Sequence, residues 1–214
     1  MSGLVRLLAI TLLLGTALLG GGAVLHPMLT GDAAAQLRTI ADTPYWRTLH
    51  LVMLAGSGLV MAGVWVRLVT DRSGVPAPIV AALAVIVAGL ASNALNIAFM
   101  AGSGTHMAAL FANGRADMQS VFEATHPIGL MAARFGNFLV ALGAAVLGWI
   151  EWRDETRPRW LAWLAWIAAL GGFVGVICFD EASRLALAAV ALLSAWEVAT
   201  AVRALGRWQV TGDR

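Results

Sequence analysis

Six apolar runs, each the length of a helix that crosses the hydrocarbon of a bilayer, dominate this chain. They cover approximately residues 4–25, 47–69, 77–100, 128–150, 160–179 and 183–205. Their charges sit mostly within a turn or two of an end. The chain as a whole is 60% hydrophobic and only 12% charged, whereas a soluble domain carries roughly a quarter charged residues. Too little polar surface is available to cover such a core, so lipid is the expected solvent. The expected fold class is therefore an all-α integral membrane protein: one domain over 1–214, six transmembrane helices in a bundle.

The first run, with Arg6 ahead of it and Gly21-Gly22-Ala23 behind, has the outline of a secretion signal. It is read here as a retained first helix. All of the basic residues are arginines, and they are unevenly shared between the two ends of the spans. Nine (Arg6, Arg67, Arg72, Arg153, Arg157, Arg159, Arg203, Arg207, Arg214) fall on one side, against Arg38, Arg47, Arg115 and Arg184 on the other, or five there if Arg134 joins them. By the positive-inside rule both termini are expected in the cytoplasm, and a bacterial inner (plasma) membrane is the expected location. Trp149, Trp152, Trp160 and Trp208 cluster near the inner boundary as an aromatic belt would, and Tyr45 and Trp46 mark the outer one. The dispersal of the arginines excludes a nucleic-acid patch. The single cysteine, Cys178, excludes an internal disulfide and a cysteine-based metal motif.

The loops are unequal. Short inner turns are expected around Asp71-Arg72-Ser73-Gly74 and Asp154-Glu155-Thr156-Arg157-Pro158, and a tight outer turn at Asp180-Glu181. The first two outer loops are long. Asp32 should cap a short helix over Ala33–Ile40. The second loop reads as two short interfacial helices broken at Asn113-Gly114, with Met107, Leu110 and Phe111, then Met118, Val121 and Phe122, on their apolar faces. The two long-loop units share an outline, a histidine after the first helix (His26, His106) and another opening the second (His50, His126).

Those histidines carry the first functional expectation. His50 and His126 are candidate axial ligands of a b-type haem, with Arg47 and Arg134 as propionate partners. His26, His50, His106 and His126 together are candidate copper or zinc ligands, assisted by Met28, Met107, Asp117 or Glu123. No HxxxH, HExxH or CxxC spacing accompanies them. Asn93 and Asn96 share one helix face, as do Arg134 and Asn137, and these four predict a polar pocket beneath the outer loops. Glu197, far inside the last span, needs a partner, and Arg67 or Arg203 is the expected one.

Three functional classes follow. An accessory or interaction subunit of a larger membrane assembly leads, with membrane lipids and other subunits or further copies of the chain as partners. A haem- or metal-binding redox protein comes next, then a small transporter or lipid-phase enzyme using the asparagine–arginine pocket.

Overall fold

The computed structural model describes residues 2–69, 77–155, 157–178 and 184–212. The turns expected at Asp71–Gly74 and Asp180–Glu181, and Thr156, lie outside the described residues, as do the side chains of Cys178, Arg184, Arg207 and Trp208. The described elements are helical: α1 (Ser2–Leu25), α2 (Ala33–Ala41), α3 (Trp46–Gly63), α4 (Val66–Val69), α5 (Ala77–Phe99), α6 (Thr105–Ala112), α7 (Asp117–Arg153), α8 (Arg159–Cys178) and α9 (Arg184–Gly212). A π-helical segment, Met100–Gly104, joins α5 to α6 without a break.

Among the described residues, six helical stretches are long and apolar enough to cross a membrane: Gly3–Leu25, Trp46–Val69, Ala77–Ala112, Asp117–Arg153, Arg159–Ile177 and Ala188–Gly206. Large apolar side chains such as Leu7, Ile128, Leu170 and Ile177 point away from the bundle, where a soluble protein would place charge. That surface marks a multi-pass membrane protein.

Two of these stretches outrun the bilayer. The Asp117–Arg153 helix has 37 residues, about 55 Å at 1.5 Å per residue, against a hydrocarbon thickness of about 30 Å. The second outer loop therefore differs from the two short interfacial helices expected. Its first half continues α5 through the π segment, and its second half forms the opening turns of α7. The break does fall at Asn113-Gly114, where Gly114 adopts φ +90°. Apolar periodicity alone cannot separate a helix lying on the interface from one that stands above it. The short helix of the first loop forms as expected, with Asp32 accepting a hydrogen bond from the Ala35 N–H at 2.8 Å.

The spanning helices close a ring in the order α3–α1–α9–α8–α7–α5 and back to α3. Leu12, Val60, Ile86, Leu147, Ala165 and Ala201, one from each, fill its centre. A second apolar cluster sits above the ring, where Leu37 and Ile40 of α2 meet Trp46, Met107 and Phe122. It holds the outer loops in one cap. Val121, expected on the same buried face, is exposed instead.

Both long-loop hairpins are built on one contact. In the first, Gly56 backs onto Gly15 and Gly63 onto Leu12; in the second, Gly136 backs onto Gly89 and Gly143 onto Ile86. A Cβ on Gly56 would lie 2.7 Å from the Leu19 nitrogen, and one on Gly136 2.5 Å from the Gly89 oxygen. Only glycine lets these backbones approach so closely.

Candidate functional site

At the loop end of the first hairpin, two imidazoles meet. α1 stops at Leu25, and His26 precedes Pro27, a position biased away from helical backbone. His26 thus leaves the helix axis and folds over the opening turns of α3, where His50 lies 2% exposed. The Nε2 atoms of His26 and His50 are 3.2 Å apart. Their ring planes cross at 74°.

The remaining nitrogen of His50 explains why that ring holds its pose. His50 Nδ1 donates to the Trp46 carbonyl at 2.8 Å, one helical turn back. That bond places the His50 proton on Nδ1 and leaves its Nε2 with a free lone pair. In the metal-free protein His26 Nε2–H donates to His50 Nε2 across the 3.2 Å contact, and an ion bound between the two nitrogens would displace that proton. Burial, and secondarily the neighbouring His50, push His26 down to about 4, while the Pro27 backbone opposes the shift. His26 is therefore neutral at physiological pH.

Trp46 walls the pair. Its ring centroid lies 4.7 Å from His26, edge-on, and 4.7 Å from His50. Its indole Nε1 is buried and has no hydrogen-bond acceptor among the described residues.

The second hairpin places its histidines differently. His126 is stacked on Phe122, with ring centroids 4.4 Å apart, and lies nearly parallel to Phe99 at 6.2 Å. His106 is exposed on α6. Among the described residues no group of three or more His, Cys, Asp or Glu side chains gathers around one point. The expected four-histidine set is therefore divided by its helices: His26 and His50 belong to the α1–α3 hairpin, His106 and His126 to α6 and α7. Of the assisting residues, Asp117 is held by Arg115 at 2.8 Å, Glu123 accepts from Gln119, Met28 is exposed and Met107 is buried in the cap. Arg47 is exposed and Arg134 half-buried.

Within the asparagine group, Asn93 Nδ2 donates to Asn137 Oδ1 at 2.9 Å, tying α5 to α7. Ser92 adds a bond to the Ala132 carbonyl at 2.7 Å. Asn96 presses its Oδ1 against Gly129. The hydrogen bonds of Asn93, Asn137 and His50 among the described residues do not join the asparagines to the histidine pair.

The buried charges find partners that the sequence reading did not name. Glu197 accepts a hydrogen bond from Thr16 Oγ1 at 2.7 Å, where α9 packs against α1. Arg67 closes instead on Glu151, 2.8 Å away. Glu151 went unremarked in the sequence because it lies just beyond the apolar run. Trp46 was also missed as a structural partner, although the spacings Trp46–His50 and Phe122–His126, each four residues, place an aromatic one turn before each helix-opening histidine.

No protein-family model, curated protein or solved structure matches this chain.

Proposed function

We propose that this is an outward-facing metal-binding membrane protein that holds copper or zinc between His26 and His50. The observation that carries the reading is the 3.2 Å approach of the two Nε2 atoms, with the His50 ring oriented by the Trp46 carbonyl. An ion bound at about 2.0–2.1 Å by two imidazoles at the tetrahedral angle separates their nitrogens by about 3.3 Å. The pair is therefore preorganised for a bent two-imidazole site with positions left for water or an external ligand. Hydrogen bonds from the distal ring nitrogens are the usual support of metal-binding histidines. Imidazole suits copper and zinc well. Haem between His50 and His126 fits less well, since His26 already occupies the approach to His50 Nε2.

The same reading sets the arginine-rich side and both termini in the cytoplasm of a bacterial inner membrane, with the histidine pair opposite. It takes precedence over a purely accessory role because it rests on one specific geometry, and it is compatible with the protein serving a larger assembly.

Competitive titration of the detergent-purified protein tests it. One zinc or copper(I) ion per chain is expected, with affinity lowered at least tenfold in both His26→Ala and His50→Ala and retained in His106→Ala. Equal affinity in wild type and the first two variants would contradict the assignment.

A further inference from the structure

The seam between α1 and α3 runs on below the histidine pair as a ladder of contacts. Leu12 backs onto Gly63, Gly15 onto Val60, and Leu19 onto Gly56. The next rung towards the loop is Gly22 with Met53, and the one after it is His26 with His50. In each helix these positions recur at steps of three or four residues, so they share one face. Met53 therefore stands one rung from the two imidazoles.

Two features aim its thioether at them. Helical side chains lean towards the N-terminus of their helix, which for Met53 is the direction of His50. The facing position on α1 is a buried glycine, and a Cβ there would lie 3.1 Å from Met53 Sδ and closer still to its Cγ. Any other residue at 22 would have to displace the methionine from the seam. Three helical residues advance about 4.5 Å along the axis. Methionine, unbranched and turning about three bonds, spans that step.

The chemistry of the donors narrows the choice of ion. Two imidazoles and a thioether are all uncharged. Among the described residues, no carboxylate or cysteine joins His26 and His50 in a group of three. A divalent ion held there keeps two positive charges without a counter-charge, a monovalent ion only one, and buried charge is costly. Thioether sulphur is a soft ligand that suits copper(I), whereas zinc takes its sulphur from thiolates. On the reading of His26 and His50 as a metal site, we propose that Met53 supplies a third ligand through its sulphur and that the site selects copper(I) over zinc.

Copper(I) and zinc affinities of the detergent-purified protein, measured by competition with chromogenic chelators, test this; the copper arm is run anaerobically under reducing conditions. Met53→Leu, a swap of nearly equal volume, should leave zinc affinity unchanged. Its copper(I) affinity should fall about tenfold or more, at least the cost of losing an outer-shell partner. Met28→Leu, two residues beyond His26 and exposed, should bind both ions as the wild type does. The copper K-edge spectrum of the wild type, which needs no variant, should contain a sulphur shell that the zinc spectrum lacks. Wild-type copper(I) affinity in Met53→Leu, with binding lost in His26→Ala and His50→Ala, would overturn the Met53 assignment and leave the histidine site standing. Unchanged copper(I) affinity in the histidine variants would overturn that site and the third ligand together. A parallel loss of both metals in Met53→Leu would overturn the selectivity and reduce Met53 to packing.

Discussion

Arg67 and Glu151 meet at 2.8 Å with side chains 5% and 0% exposed, and so bolt α4 to the C-terminal end of α7. Removing one partner of such a pair strands the other charge in a desolvated site. Glu151→Ala is expected to destabilise by about 3–5 kcal/mol. The double variant Arg67→Leu/Glu151→Leu should recover much of that loss, because two apolar side chains leave no charge behind. Melting curves of the two single variants and the double variant form the check; a double variant less stable than both singles would refute this account of the pair.

The glycine contacts predict sharp positional selectivity. Gly56→Ala and Gly136→Ala should each destabilise by about 1–3 kcal/mol or more, since the new Cβ meets backbone that cannot yield. Gly58→Ala should be harmless, as nothing lies within 4 Å of its Cβ position. Folded yield and melting temperature of the three variants separate these outcomes. Similar behaviour at all three positions would count against the close-packed hairpins.

Thr16 and Glu197 are 181 residues apart in sequence, yet share a buried hydrogen bond of 2.7 Å. Thr16→Val removes the hydroxyl donor and should cost about 1–3 kcal/mol. Glu197→Gln keeps an oxygen that can accept the same bond, so its melting temperature should stay close to wild type. A large loss in Glu197→Gln with none in Thr16→Val would point to a different partner for the carboxylate.

For the metal-free protein a pH dependence follows from His26. Its folded value near 4 lies below the ordinary 6.5, so the unfolded chain binds the proton more tightly. The contribution to stability is fully present above pH 6.5 and is lost as the pH falls toward 4. Thermal unfolding between pH 7.5 and pH 4 should show this decline, and His26→Gln should flatten it. A decline of the same size in the variant would assign the effect elsewhere.

Much of the architecture could be read from hydropathy, because a predominantly apolar run of about twenty residues leaves few alternatives. The Asp32 cap and the Asn113-Gly114 break were equally legible, since each is a local backbone requirement. The site was legible only in its parts. His26 and His50 could be nominated as metal ligands, but their pairing depends on how the end of α1 folds over α3, which no spacing encodes. The partnership of His50 with His126 looked reasonable from their similar depth; the structure turns His126 to Phe99 and Phe122 instead. The Asn93–Asn137 bond likewise follows from the crossing of α5 and α7 at Gly89 and Gly136. Long-range pairs such as Arg67–Glu151 come from the order of helices around the ring, a property of the assembled bundle.

X-ray absorption spectroscopy of the purified protein loaded with one equivalent of zinc tests the central claim most directly. Two imidazole nitrogens at about 2.0 Å from the ion, with the outer-shell scattering of histidine rings, is the predicted result. The imidazole signal should disappear in the His26→Ala/His50→Ala double variant. A spectrum with no histidine scattering, or one unaltered by that double substitution, would contradict the metal site.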